Sequence, residues 1–196
     1  MDENYVYEQI ACLSNKACQR MNAFSSQILK TRGGRIGSGM GTLLEALWGY
    51  MMNQIILEET DLDCEIAWFP DNQYNDFSCI RRDAVWDATT HAGEYFRIEA
   101  KSMNTGADES KAHFAALDSE IEQNDALLIL IWEWRKIDDL HFSPIVIDCR
   151  RLINRQTHRF YWVFLHLLYK FSLRRWYNSS YHTNYPLPTE EKIYAY

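Results

Sequence analysis

The stretch Arg82-Asp83-Ala84-Val85-Trp86-Asp87-Ala88-Thr89-Thr90-His91-Ala92-Gly93-Glu94-Tyr95-Phe96-Arg97-Ile98-Glu99-Ala100-Lys101-Ser102-Met103 decides the fold. Two alternating runs flank His91-Ala92-Gly93, and a three-residue loop with glycine in the left-handed position suits a hairpin. In that register Thr90 pairs with Glu94 and Asp83 lies opposite Lys101. Side chains alternate faces along a strand, so Asp83, Val85 and Asp87 share a face with Arg97, Glu99 and Lys101. The other face carries Ala84, Trp86, Ala88, Phe96, Ile98 and Ala100 and is fit for a core. The polar face gathers two carboxylates and an ammonium, which can hold a divalent metal and activate a water beside a phosphate. A slip of one residue would part Asp83 from Glu99 and Lys101.

Working outward, residues 5–30 read as a helix, with Ile10, Leu13, Ala17, Met21, Phe24 and Ile28 at three- and four-residue steps. A glycine-rich stretch, Gly33 to Gly41, leads to a strongly apolar helix over Thr42–Glu58. Cys64–Phe69 reads as a strand, and Gln73–Arg81 is polar and ambiguous. After the hairpin, Asp108–Gln123 reads as an amphipathic helix. Ala126–Trp132 and Pro144–Asp148 read as strands. Arg159–Trp176 reads as a basic, aromatic-rich helix before an irregular tail. The glycine-rich stretch lacks the lysine of a phosphate-binding loop and follows no clear strand.

Asp83 with Glu99-Ala100-Lys101 resembles the motif of the PD-(D/E)XK superfamily, the restriction-endonuclease-like nucleases. Asp83 stands at the motif aspartate, Arg82 takes the place of the proline, and Glu99-Ala100-Lys101 matches (D/E)-x-K. The order helix, three strands, helix, strand over about 41–148 is similar to that family's core. The resemblance implies an α/β fold with a central mixed sheet flanked by helices (α-β-β-β-α-β) and helical additions at both ends. It implies a metal-dependent endonuclease that hydrolyses DNA phosphodiesters with Mg2+ or Mn2+, in restriction or defence. Asp83 and Glu99 would hold the metal, and Lys101 would position the water or stabilise developing charge. Cutting both strands of a duplex calls for two sites, hence a homodimer or a subunit of a larger complex.

Two other aspartates compete for the motif position. Asp87 shares the face of Asp83, and Asp76 precedes an apolar strand in Asn75-Asp76-Phe77. Glu45 has two readings as well. An acid on the first core helix completes the metal site in several branches of the superfamily. Equally, Thr42-Leu43-Leu44-Glu45 matches a capping box with Thr42 as N-cap.

At 196 residues, with 47% hydrophobic and 14% aromatic content, the chain reads as one packed domain. Its core spans about 41–148, between an N-terminal extension (1–40) and a C-terminal addition (149–196). An odd count of five cysteines without C-x-x-C argues against a disulfide framework or zinc knuckle and points to a reducing cytoplasm. No apolar run is long enough to span a bilayer, and the N-terminus lacks a signal-peptide pattern. The net charge of −7 is unevenly spread. Residues 9–44 hold Lys16, Arg20, Lys30, Arg32 and Arg35 and no acid, and residues 149–196 are also basic. An acidic centre with basic flanks suits a metal site between phosphate-binding surfaces, with Arg32, Arg35, Arg174 and Arg175 as DNA contacts. The competing reading is a non-catalytic nucleic-acid- or protein-binding module on the same scaffold. Convergence of the motif side chains separates the two.

Overall fold

The computed structural model describes residues 1–32, 39–69, 74–106 and 125–154, with side chains described as far as Cys149. All of them fall within one compact unit, Met1–Thr157. The expected helices Asp108–Gln123 and Arg159–Trp176, and with them Arg35, Arg174 and Arg175, lie outside the described residues.

The chain is α/β. Helices α1 (Glu3–Ile28) and α2 (Met40–Glu59) precede strands β1 (Cys64–Trp68), β2 (Phe77–Arg81), β3 (Glu94–Asn104), β4 (Ala126–Lys136) and β5 (Phe142–Asn154). The five strands form one mixed sheet in chain order. Every neighbouring pair is antiparallel except β3 and β4, which run parallel. Parallel neighbours need a long crossover, which residues 105–125 supply. Among the described residues no helix is long and apolar enough to cross a membrane.

Helix α1 starts where Asp2 accepts the Tyr5 N–H at 3.0 Å, an N-cap bond. Its Val6, Ile10, Ala17 and Met21 join Leu44, Trp48, Met52 and Ile55 of α2 in the core. Both sets pack on Ile66, Phe77, Cys79, Ile98, Ala100, Leu128 and Leu130 of the sheet. Each Val, Leu, Ile, Phe or Met among them contributes roughly 1.5–3 kcal/mol on burial. One face of α1 therefore contributes to the core. Helix α2 presses close to the sheet at two glycines. A Cβ on Gly49 would come 3.0 Å from the Phe77 ring, and one on Gly41 would overlap the Ser102 hydroxyl.

An asparagine caps each outer strand of the sheet. Asn53 of α2 donates to the Ile66 carbonyl at 2.8 Å and accepts from the Ile66 N–H at 2.7 Å. Asn22 of α1 does the same to Val146, at 2.7 and 2.8 Å. A side-chain amide thus replaces the missing strand at β1 and at β5, and it fixes each helix along the sheet. It also covers backbone groups that would otherwise recruit another edge.

The hairpin register differs from the one read from the sequence. The strand before β3 is Phe77–Arg81, not Arg82–Thr90; Phe77 pairs with Ile98 and Ile80 with Glu94. Phe77, Ser78, Cys79 and Ile80 are all buried, so the strand shows no alternation. Residues 82–93 form a local excursion. Asp87 accepts the Thr89 and Thr90 N–H groups at 2.8 and 3.3 Å, which makes a turn and not a strand. Trp86 donates its indole N–H to Glu94 at 2.9 Å, and Arg97 donates to the Ala88 carbonyl at 2.6 Å. Gly93 takes the left-handed conformation as expected (φ 81°), and His91 takes it as well (φ 61°).

Asn22→Ala and Asn53→Ala should each lower the free energy of unfolding by about 1–3 kcal/mol, since each strands two strand groups. Urea titrations of the two variants measure this. Losses within 0.5 kcal/mol, roughly the scatter of ordinary surface changes, would show that the outer strands do not depend on the asparagines.

Candidate active site

Strand β2 leaves its ladder with β3 at Phe77, while β3 continues to Asn104. Beyond that point, among the described residues, β3 is paired only on its β4 side, from Ile98–Ala126 to Asn104–Trp132. Backbone groups of alternate residues point to the same edge of a strand. The N–H groups of Ala100 and Ser102 therefore face the side that β2 has vacated. Both find carboxylates. Asp76, the residue just before β2, accepts the Ala100 N–H through Oδ2 at 2.8 Å. Glu45, on α2, lies beside Ser102, whose backbone and hydroxyl favour its ionised form.

The main chain of Asp76 is held from both sides. Its N–H donates to the Ile98 carbonyl and its carbonyl accepts from the Phe69 N–H, each at 3.1 Å. Glu99 is 2% exposed, and its Oε1 is bound by the Lys101 ammonium. Its Oε2 is buried without a hydrogen-bond partner.

The four groups share one electrostatic environment. Burial pushes the Glu99 carboxyl up to about 7; Lys101 opposes this, while the charges of Asp76 and Glu45 add to it. Burial also raises Glu45, helped by Asp76 and opposed by Ser102 and Lys101. Asp76 is raised by burial against the pull of the Ala100 N–H and Lys101. Among the described residues, three carboxylates thus meet one ammonium.

The structure brings together Glu45, Asp76, Glu99 and Lys101. It does not bring in Asp83, which was expected opposite Lys101. Asp83 lies on an exposed turn after the end of β2, at the other end of the β2–β3 ladder. Asp87 is likewise in the excursion, engaged with Thr89 and Thr90. The capping-box reading of Glu45 fails as well. Helix α2 starts at Met40 with Gly39 as N-cap, so Thr42 is already inside the first turn. Of the basic flank, Arg32 is exposed just past α1. Lys16 and Arg20 are paired with Glu59 and Glu58 of α2. The sequence assigned no role to Asn75, Asp125 or Ser102, which lie beside this cluster.

Glu99 Oε2, a buried carboxylate oxygen without a partner, fits a hard divalent cation, and so does the excess of carboxylates over ammonium groups. Among the described residues, no three His, Cys, Asp or Glu side chains already stand as a complete metal-ligand set. Holding a cation would therefore require side-chain adjustment around Glu99. Comparisons with protein-family models, with curated proteins and with solved structures give no match for this chain.

The raised Glu99 pKa has a consequence for stability. Between an ordinary carboxyl pKa of about 4.3 and about 7, the folded chain keeps a proton that the unfolded chain has lost. The associated stability is complete below the unfolded pKa and is lost as pH rises through 7. Glu99→Gln should match the parent near pH 4 and exceed it at pH 8 by about 1–3 kcal/mol. Urea unfolding at both pH values tests this, and a pH-independent difference would remove the shift from Glu99.

Proposed function

We propose that this chain is a metal-dependent nuclease of the PD-(D/E)XK type, hydrolysing phosphodiester bonds of DNA, with Asp76 in place of Asp83 as the motif acid. The observation that carries the reading is the meeting of Asp76, Glu99 and Lys101 where β2 parts from β3. The strand order, with a parallel step only between β3 and β4, is compatible with a restriction-endonuclease-like core.

Asp76 and Glu99 would hold Mg2+ or Mn2+, with Glu45 beside them. A bound divalent ion supplies charge neutralisation at the phosphate and a more acidic water. The chain's own groups have distinct tasks. Glu99 must lose its proton to serve as a ligand, and its raised pKa places that event near neutrality. Lys101, already at Glu99, presents a cation to the negative charge that builds on a phosphate oxygen. Ala100 N–H fixes the Asp76 carboxylate, so its position is set by the sheet rather than by a free side-chain rotor. Cleavage should therefore rise from pH 6 to pH 8. The Mg2+ requirement, the homodimer, and a role in restriction or defence belong to this same reading.

A second reading has its own observation. Leu43, Tyr50 and Leu57 are 39%, 54% and 64% exposed at seven-residue steps along α2. That apolar line favours a partner-binding subunit on the same scaffold.

Asp76→Asn and Lys101→Ala should each cost at least about 100-fold in Mg2+-dependent cleavage of plasmid DNA. Asp83→Ala should stay within about twofold, the small change typical of a surface site away from the chemistry. Excess EDTA should stop the reaction. Full activity in a folded Lys101→Ala protein, or cleavage undiminished by chelator, would remove the catalytic reading and favour the partner-binding one.

DNA binding should weaken steeply with salt, because phosphate contacts release counterions. Neutralising Arg32 and Arg35 together should flatten the slope of log K against log salt by about 1–2. Anisotropy titrations on labelled duplex measure it, and an unchanged slope would move the DNA surface elsewhere.

A further inference from the structure

Asp76 is the one acid of the cluster that lies outside any helix or strand, so something must hold its segment in place. The residue before it, Asn75, is 6% exposed, and its side-chain amide donates to Oδ2 of Asp125 at 3.3 Å. Asp125 is 3% exposed and immediately precedes β4. The first β4 residue, Ala126, pairs with Ile98, whose carbonyl receives the Asp76 N–H. Asn75 and Asp125 therefore reach each other across β3 at Ile98, the residue next to Glu99. Every ladder contact of β4 in this region is to β3 or β5. The Asn75–Asp125 bond is a side-chain tie between the segment bearing Asp76 and the strand beyond β3.

We infer that Asn75 and Asp125 form a buried positioning pair, which locks the segment before β2 so that the Asp76 carboxylate stays on the Ala100 N–H beside Glu99. Neither residue is placed at the reacting atoms. Their effect on cleavage passes through Asp76, and to that extent the inference rests on the nuclease reading. The geometric part does not. Asp125→Ala leaves a buried amide without its acceptor. The Asp76 segment can then open without disturbing the β3–β4 ladder, and Ala100 loses protection. Asp125→Asn keeps an acceptor oxygen for Asn75 and preserves the lock.

The test is amide hydrogen exchange on the full chain, read at Ala100 with Leu128 of the core as control. Asp76→Ala sets the scale for an uncapped Ala100 N–H. Asp125→Ala and Asn75→Ala should each speed exchange at Ala100 by about tenfold, the effect of one net hydrogen bond. Leu128 should not change, and Asp125→Asn should return Ala100 to the parental rate. In cleavage assays the two alanine variants should lower kcat with little change in KM, and Asp125→Asn should recover it. Unchanged Ala100 exchange in either alanine variant with an intact core overturns the inference. Equal acceleration at Ala100 and Leu128 in both variants also overturns it, because the pair would then hold the fold as a whole. A parent protein without cleavage would defeat the nuclease reading alone, since exchange reports on Asp76 and not on turnover.

Discussion

The site depends on the mismatch in length between β2 and β3. Strand β3 runs on past Phe77, and its Ala100 and Ser102 N–H groups point into the gap. A buried N–H without an acceptor costs about 1–3 kcal/mol. Ordinary folds remove that cost by adding residues to the neighbouring strand. Here a carboxylate does it: Asp76 accepts the Ala100 N–H, while Glu45 lies beside Ser102. The same backbone constraint that calls for acceptors thus gathers negative charge next to Glu99. The acids are brought together by the need to satisfy a strand edge, and their mutual repulsion is the consequence.

All three carboxyls are raised above their ordinary range, first by burial; charge repulsion adds to the shifts of Glu99 and Glu45. One ammonium, Lys101, offsets part of it. A cluster of this kind weakens the folded state above neutral pH, so the rest of the chain must hold it. The hold comes from outside the site. Trp48 and Phe77 pack with ring centroids 5.7 Å apart at the point where β2 begins. Gly49 and Gly41 let α2 lie close enough to the sheet for Glu45 to reach Ser102. The asparagine caps at β1 and β5 fix both helices along the strands, at the sheet's two edges. Among the described residues, the buried carboxylates gather at one fork in the sheet.

Much of this was legible in the residues, for physical reasons that differ from element to element. Both helices and β4 announced themselves because long periodic or continuous apolar runs have few alternatives. Glu99 and Lys101 were legible because they alternate with Ile98 and Ala100 on a strand that is apolar on its other face. The partner strand was not. Phe77 to Ile80 is buried on both faces, so the alternation that marks a half-exposed strand is missing, while Arg82 to Thr90 alternates by accident. Asp87 looks like a strand residue in sequence yet makes a turn with Thr89 and Thr90. Glu45 matched a capping box because Thr42 has the right spacing, but a glycine N-cap opens the helix earlier. The basic flank was half misread for a similar reason. Lys16 and Arg20 answer Glu58 and Glu59 across two helices, and no local pattern encodes such a pairing.

The choice between Asp76 and Asp83 follows from the shape of a hairpin alone. In two antiparallel strands, the residues near the connecting loop and those at the open end lie at opposite ends of the ladder. Glu99 lies five residues into β3 from Glu94, which at 3.3 Å per residue is about 17 Å from the loop end. Any acid between Ile80 and Glu94 belongs to that loop end by construction, whatever its face. An acid meant to meet Glu99 must stand where β2 begins, not where it ends. Asp76 is the residue that precedes β2, and its amide and carboxylate take successive positions on β3, at Ile98 and Ala100. The excursion of residues 82–93, pinned by Glu94 and Arg97 at the loop end, can therefore vary in length and composition without moving the cluster. Length in that loop lengthens the spacing between Asp76 and Glu99 in sequence while leaving them adjacent in space.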